Sequence, residues 1–247
     1  MVAEGLLLPD WPCPAGVRAC QTIRQGGLSE GPYHSFNLAD HVGDAPAAVA
    51  TNRTRLRELA QLPGEPRWLA QVHGTTVLDA AAASAASAAT PCADASYSQR
   101  PGEVCVVLTA DCLPLLLCRR DASAVAAVHA GWRGLQAGVI EQTIIRAGEG
   151  DWLAWLGPAI GPQAFEVGEE VYAAFVDEDA AASAAFVANR PGHWLADLYA
   201  LARMRLARVG VTAVYGGQYC SHRQAELFYS YRRDGITGRM ASLIWLV

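Results

Sequence analysis

Positive charge and long apolar runs are both scarce in this chain of 247 residues. Its formal net charge is −5 at pH 7. A protein that binds nucleic acid through phosphates needs a basic surface, so nucleic acid is not expected as a partner. No apolar stretch reaches the ~18 residues of a membrane span, because Asp111 and Pro114 interrupt the longest runs. The first apolar run stops at Pro9 without a basic start, so we expect neither a signal peptide nor a membrane segment.

The cysteine pattern excludes several further classes of protein. The sequence has 7 Cys, an odd number, and no C-x-x-C pair. This excludes a zinc ribbon and a thioredoxin-type pair, and it argues against a secreted disulfide scaffold. We therefore expect free thiols in a reducing cytoplasm. With 52% hydrophobic and 17% charged residues, the chain can bury a sizeable core.

Apolar patterning predicts a mixture of strands and helices. An Ala/Ser-rich stretch, Ala80–Thr90, is interpreted as a surface loop or short helix. There is no regular βαβ order and no internal repeat. We therefore expect one α/β (mixed α+β) domain over residues 1–247, with mixed β-sheets flanked by helices. Strands are predicted at Val17–Arg24, Arg67–Val72, Thr75–Leu78, Val104–Leu108, Leu115–Cys118, Ala124–Val128, Trp152–Leu156, Val211–Tyr215 and Ala241–Val247, and helices at Ala47–Leu62, Leu135–Ala147, Glu169–Phe175 and Asp197–Val209.

Three residues with metal-ligating side chains stand at the ends of predicted buried strands: His73, Cys112 and His129. They are 39 and 17 residues apart, which is too far for a local zinc knuckle but normal for a site assembled at one end of a sheet. Two imidazoles and one thiolate suit zinc, and three protein ligands leave a fourth position for water or substrate. Copper accepts the same ligands, so residue type alone leaves the metal open.

Each of these residues also has a plainer interpretation. A lone Cys in an apolar strand is usually core, and a lone His is usually a hydrogen-bonded structural residue. The neighbouring turn and charged residues favour a site. Cys112 as a nucleophile with His129 as its base remains open. Asp111, beside Cys112, either orients a ligand, acts as an acid or base, or caps a turn. Asp94 is a further acid that we expect near the same pocket.

Three blocks of the sequence resemble the signatures of the YfiH-like family, whose members were named polyphenol oxidases or laccase-domain proteins and later purine nucleoside phosphorylases. The resemblance extends nearly end to end, through glycine-rich blocks near both termini. A departure is Gln163, close to where relatives often carry Cys, which makes a fourth thiolate there unexpected. The three blocks are Gln71-Val72-His73-Gly74, Thr109-Ala110-Asp111-Cys112-Leu113-Pro114 and His129-Ala130-Gly131-Trp132-Arg133-Gly134.

The resemblance implies zinc held by His73, Cys112 and His129. It also implies phosphorolysis of adenosine, inosine and methylthioadenosine, with adenosine deamination as a further activity. Purine nucleosides and phosphate are then the expected partners, and the oligomeric state stays open. Phosphorolysis needs a phosphate site, for which Arg is well suited. We expect Arg133, four residues from His129, to serve there, with Arg53 and Arg232 as further candidates.

Three other functions remain as alternatives. The first is a cysteine hydrolase or amidase that uses Cys112 and His129, perhaps on cell-wall peptides, and the second is a non-catalytic partner in wall synthesis. The third is a copper-dependent phenol oxidase, which the sequence disfavours because no two of its six His form a His-x-His pair. The H-x-E and P-C-x-x-C signature of zinc nucleoside deaminases is also absent.

Overall fold

The structure, a computed structural model, describes residues 2–3, 5–81 and 90–247. The predicted loop or short helix at Ala80–Thr90 lies almost entirely outside these ranges. Helices α1–α6 are Pro46–Leu59, Trp132–Gln136, Val139–Ala147, Glu169–Val176, Leu198–Arg208 and Tyr231–Asp234. Strands β1–β14 are Val2–Ala3, Leu6–Leu7, Val17–Thr22, Val77–Asp79, Ala95–Ser98, Val104–Thr109, Leu113–Arg119, Val125–Ala130, Trp152–Leu156, Glu166–Gly168, Phe186–Arg190, His193–Ala196, Ala213–Gly216 and Met240–Leu246.

Two large sheets pack against each other through a shared apolar core. One sheet is antiparallel, with strand order β1-β2-β3-β14-β6. The other has the order β13-β9-β7-β8-β5-β4 and is mixed, because its two edge pairs are parallel. The shared core includes Val107 and Ile244 from the first sheet and Leu116 and Trp155 from the second. This core excludes water from the inner faces of both sheets.

Helices cover the two outer faces. Leu56 of α1 packs with Phe36 and Leu38 against the five-stranded sheet. Helices α2 to α5 cover the six-stranded sheet, and the small sheet β10-β12-β11 adjoins α4. The predicted class, mixed α/β with β-sheets flanked by helices, is confirmed. None of the helices in the described ranges is long and apolar enough to cross a membrane.

Burial on both faces explains why the central strands are almost continuously apolar. In β7, Leu115 and Leu117 pack into the helical layer, whereas Leu116 and Cys118 pack into the core between the sheets. Successive side chains of a strand point to opposite faces, so neither face of β7 tolerates polar residues. This is the pattern that the sequence shows at β6, β7 and β8.

The predicted strand Arg67–Val72 is wrong. Within the described residues this segment forms only isolated bridges. The side chain of Gln71 attaches it instead: Nε2 donates to the carbonyl of Leu108 at 2.8 Å, and Oε1 accepts from the Leu108 amide at 2.7 Å. A side-chain amide therefore replaces a strand pairing, which apolar patterning cannot reveal.

Three other element predictions need correction. The helix predicted at Leu135–Ala147 divides into α2 and α3, because Gly138 adopts a left-handed φ of +93° between them. The helix predicted at Ala47–Leu62 ends at Leu59. The small sheet β10-β12-β11 was not predicted, since its strands are short and β11 is largely exposed.

Candidate metal centre

The structure brings His73, Cys112 and His129 together. One ligand atom from each lies within 4.8 Å of the others, and Cys112 Sγ is 3.6 Å from His73 Nε2. Cys112 directly precedes β7, but His129 lies inside β8 and His73 follows no strand. The expected strand-end position therefore holds for Cys112 and for His129, the penultimate residue of β8, but is wrong for His73. The antiparallel pairing of β7 with β8 sets Pro114 opposite His129 and so brings Cys112 close to the imidazole.

A fully buried carboxylate, that of Asp94, connects the two histidines. Its Oδ1 lies 2.9 Å from Nδ1 of His129 and accepts the backbone amide of His73 at 2.8 Å. Its Oδ2 accepts the amides of Val72 at 3.2 Å and Gly74 at 2.7 Å. Burial opposes ionisation of Asp94, but these hydrogen bonds outweigh it and lower its pKa. Asp94 thus holds the ring of one histidine and the backbone of the other.

The backbone of His73 has a left-handed conformation, with φ of +62°. This conformation is uncommon for residues other than glycine and persists where surrounding contacts impose it. Here three consecutive amides, from Val72 to Gly74, converge on Asp94. These hydrogen bonds therefore hold the strained backbone of His73, whose ring lies beside Cys112.

A glycine leaves room for the cluster. A Cβ on Gly131 would lie 2.6 Å from Cδ2 of His73 and 3.1 Å from Sγ of Cys112. The φ of Gly131 is −63°, so the requirement for glycine here is steric and not conformational. Gly131, in the family-like block that begins at His129, thus leaves space for the side chains of His73 and Cys112.

The donor set fits a tetrahedral metal ion. Nδ1 of His129 is occupied by Asp94, which leaves Nε2 free to bind a metal. Two ligands of a tetrahedral zinc ion, one sulfur and one nitrogen, are separated by roughly 3.6 Å, as Cys112 Sγ and His73 Nε2 are. Three ligands leave one coordination position for substrate or water. No other group of three such side chains is found in residues 2–3, 5–81 and 90–247.

Electrostatics within the cluster favour a thiolate. Burial opposes ionisation of Cys112, but the adjacent His129 and His73 outweigh it and lower its pKa to about 6. Burial opposes protonation of His129, yet the charges of Cys112 and Asp94 raise its pKa to about 9. A thiolate is the form that both metal binding and nucleophilic attack require.

The carboxylate of Asp111 is committed to structural hydrogen bonds. It accepts from Ser221 Oγ at 2.6 Å, from Ser230 Oγ at 3.0 Å and from the Arg232 amide at 2.7 Å. Its backbone φ is +95°. The turn before Cys112 is therefore tied to the start of α6 through residues distant in the sequence. A catalytic role for Asp111 stays a prediction.

Two cavities meet at the cluster and share His73, Ala110, Cys112 and Tyr231 in their walls. The larger is about 390 Å³ and the smaller about 170 Å³. The other residues of the larger cavity are His41, Gln71, Leu108, Thr109, His129 and Arg239. Those of the smaller cavity are Asp111, Trp132, Arg133, Ile160, Phe165, Leu198 and Arg232. A substrate that spans both cavities would pass directly over Cys112.

Comparison with known proteins identifies the family. A family model described as "Multi-copper polyphenol oxidoreductase laccase" matches residues 18–247. The chain is 55% identical to the purine nucleoside phosphorylase YfiH of Shigella flexneri, over 98% of this chain and 99% of that protein. The chain belongs to the YfiH-like family. A purine nucleoside phosphorylase of Pseudomonas aeruginosa is also 55% identical, over 97% of this chain and 98% of its own.

A solved structure agrees with this membership. The crystal structure of a Neisseria meningitidis protein of family DUF152 has a TM-score of 0.94 and 49% sequence identity, and the match covers 98% of this chain and 99% of that one. The fold expected for a YfiH-like protein is therefore confirmed over almost the whole chain.

The arginines expected at the YfiH-like site occupy different places. Arg133 and Arg232 line the smaller cavity, with their guanidinium carbons 4.4 Å from the centroid of Trp132 and 5.4 Å from that of Phe165. Arg53 lies outside both cavities. Its guanidinium stacks on Trp68 at 4.1 Å, donates to the carbonyl of Leu38 and pairs with Asp40 at 3.4 Å. The structure therefore does not bring Arg53 to the cluster, because these contacts hold it elsewhere.

Sequence reasoning missed the polar wall of the larger cavity. Arg239 and Tyr231 lie within blocks that resemble the family, but nothing in their spacing marked them as site residues. His41 is isolated in the sequence and reaches the cavity through the loop before α1. Asp94, expected near the pocket, is confirmed there.

Proposed function

We propose that this chain is a metal-dependent purine nucleoside phosphorylase. It would cleave adenosine, inosine and S-methyl-5'-thioadenosine with phosphate, giving the free base and ribose 1-phosphate or its methylthio analogue. The observation that carries the proposal is the cluster of His73, Cys112 and His129 at the junction of two cavities. The names of the YfiH-like relatives, which match nearly the full length, support the choice of reaction.

The purine base fits the smaller cavity. The rings of Trp132, Phe165 and Tyr231 line it and offer apolar faces for a planar base. Arg133 and Arg232 add positive charge to this wall and would bind polar groups of the substrate. Closure of this space around the base would also exclude water from the glycosidic bond.

His73, Cys112 and His129 would hold the metal, for which we propose zinc, with copper as the alternative. A bound ion supplies positive charge that polarises a substrate oxygen. Nδ1–H of His129 donates a hydrogen bond to Asp94, which keeps Nε2 turned towards the cluster. Adenosine deamination is proposed as a second reaction of the same site.

One experiment tests this function. Metal-loaded protein is incubated with adenosine, inosine and methylthioadenosine, with and without phosphate, and the products and bound metal are quantified. We expect phosphate-dependent release of base, which Cys112→Ala abolishes. Release of base without phosphate, or equal activity of Cys112→Ala, would contradict the proposal. Inosine formed from adenosine would report deamination separately.

The position of the Cys112 thiol, 3.6 Å from Nε2 of His73 and in one cluster with His129, favours a second candidate function. Beside His129, this thiol has the form of a nucleophile in a cysteine hydrolase or amidase. Full amidase activity after removal of metal, together with covalent trapping of substrate on Cys112, would support that function. Loss of activity on chelation, and recovery on adding zinc, would instead support the phosphorylase.

We further propose that residues 1–247 act as one domain in the cytoplasm. Residues from His41 to Arg239 line a single cavity, so the site needs almost the whole chain. The seven thiols are unpaired in the structure, as a reducing compartment would keep them. Limited proteolysis tests whether the chain is one domain. It should give no stable fragment that retains the site.

A further inference from the structure

Apart from Cys112, which we propose as a metal ligand, the residues that line the larger cavity are cationic or neutral. Arg239 and His41 line it together with the two histidines of the cluster, and neither Asp nor Glu is among its lining residues. The cavity reaches Cys112, so whatever binds here lies next to the reacting atoms. A cavity with this lining is suited to an anion.

Arg239 is held rigidly at this wall. Its Nη1 donates to the carbonyls of Thr237 at 2.9 Å and Gly238 at 3.0 Å. Its backbone amide donates to Oδ1 of Asn37 at 2.9 Å, and Asn37 is fully buried. These contacts fix the backbone of Arg239 and one terminal nitrogen of its guanidinium, and they leave its other N–H groups for a ligand.

The charge of Arg239 has no direct counter-ion in the described part of the chain. No carboxylate there lies within ion-pair distance of its guanidinium. Cys112 and Asp111 are near enough to act on it electrostatically, but Cys112 belongs to the proposed metal cluster, and the oxygens of Asp111 are occupied by Ser221, Ser230 and the Arg232 amide. A half-buried cation without a counter-ion is costly, and a bound anion would offset that cost.

We propose that the larger cavity is the binding site for inorganic phosphate, with Arg239 as its principal ligand. This rests on the proposed phosphorylase function. Arg133 and Arg232 lie across Cys112, on the aromatic side, and would contact the nucleoside. Phosphate and base would then approach the ribose from opposite sides.

That arrangement suits displacement at the anomeric carbon. A phosphate oxygen forms the new C–O bond as the C–N bond to the purine breaks on the other side. The electron pair of that bond goes to the purine nitrogen, and the proton of the hydrogenphosphate ion ends on the departing base. The products are ribose 1-phosphate and free purine, so atoms and charge balance.

The test is the equilibrium affinity of the metal-loaded protein for inorganic phosphate, measured by calorimetry without nucleoside. Arg239→Gln should weaken binding about tenfold or more, because a charge-assisted fork is lost. The phosphate affinity of Arg239→Lys should lie between those of wild type and Arg239→Gln, since lysine keeps the charge but not the guanidinium fork. Arg55→Ala, on the exposed side of α1, is the matched control and should bind phosphate normally.

A second measurement needs no substitution. Phosphate should protect Arg239 of the wild-type protein from phenylglyoxal, as read by mass spectrometry, while Arg55 stays reactive. Unchanged phosphate affinity in folded Arg239→Gln, absence of protection, or loss of affinity in Arg133→Ala alone would overturn the proposal. If phosphate binds Arg239 but no nucleoside is cleaved, the proposed function fails and the anion site stands. If cleavage requires phosphate but Arg239 is not involved, the proposed function stands and the assignment of the phosphate site to Arg239 fails.

Discussion

Oδ1 of Asp94 lies 2.9 Å from Nδ1 of His129 and also accepts the backbone amide of His73. A single carboxylate therefore orients the ring of one proposed metal ligand and fixes the main chain of the other. Carboxylates that hold metal-binding histidines in this way select the tautomer and the ring orientation. Hydrogen bonds within the protein therefore position both histidines of the cluster.

Replacing Asp94 should weaken metal binding more than folding. An amide in Asp94→Asn has one acceptor oxygen, whereas the carboxylate serves four donors. We expect the affinity for zinc, measured by competition with a chromophoric chelator, to fall about 10–100-fold. Formate should partly restore it in Asp94→Ala by occupying the vacated position. Asp151→Asn, in an exposed ion pair with Arg120, is the control, and an equal loss there would refute the role of Asp94.

Gly131→Ala should displace His73 without straining the backbone. The new methyl group would overlap Cδ2 of the His73 ring at 2.6 Å, so the ring must move away from Cys112. We expect the same chelator competition to show about tenfold weaker zinc binding. In Gly74→Ala the new Cβ would make ordinary contacts at 3.5 and 3.7 Å, and the effect should be smaller. Equal zinc affinities for both variants would show that the close approach at Gly131 is unimportant.

The sequence predicts the parts of this molecule that depend on local pattern. Strands β6, β7 and β8 are buried on both faces, and their nearly continuous apolar sequences predict them. His73, Cys112 and His129 are recognisable by residue type and by the blocks around them. What could not be predicted depends on contacts between distant residues. Gln71 pairs with Leu108 in place of a strand, and Arg239 reaches the cavity from near the C-terminus.

Removing the buried guanidinium of Arg205 should destabilise the fold. It bonds Glu178 and Glu141 as well as the carbonyl of Gln136, and so ties α5 to the preceding helices. Its side chain is 8% exposed, and Arg205→Ala leaves the partly buried Glu141 without its ion-pair partner and Glu178 with Arg208 alone. We expect a loss of about 2–3 kcal/mol in the free energy of unfolding by urea, less than for a fully buried pair because Glu178 is partly exposed.

Arg208 provides the comparison for Arg205. It pairs with Glu178 and Asp179, but its side chain is 36% exposed. Arg208→Ala should therefore cost less than about 1 kcal/mol, because solvent screens exposed ion pairs. If the two variants lose equal stability, burial does not set the strength of this network.

The ion pair of Glu166 with Arg190 should make stability depend on pH. Nη2 of Arg190 donates to Oε1 of Glu166 at 2.6 Å, and this bond and that of Asn189 lower the pKa of Glu166 to about 2 from 4.5. A carboxyl whose pKa is lower in the folded state stabilises the protein above its unfolded pKa, and this contribution is lost as pH falls towards the folded pKa. The difference in unfolding free energy between wild type and Glu166→Gln should therefore be full near pH 6 and shrink below about pH 4.5.

Two controls, added salt and a substitution at Glu169, separate the effect of the Glu166–Arg190 pair from general destabilisation by acid. The pair is exposed, so added NaCl should reduce the difference at pH 6. Glu169→Gln, at the exposed start of α4, is the matched control, because Glu169 has no ion pair in the described ranges. An equal pH dependence for Glu169→Gln would show that the effect does not arise from the pair with Arg190. A difference for Glu166→Gln that grows as pH falls would contradict the sign, since protonation can only remove the attraction to Arg190.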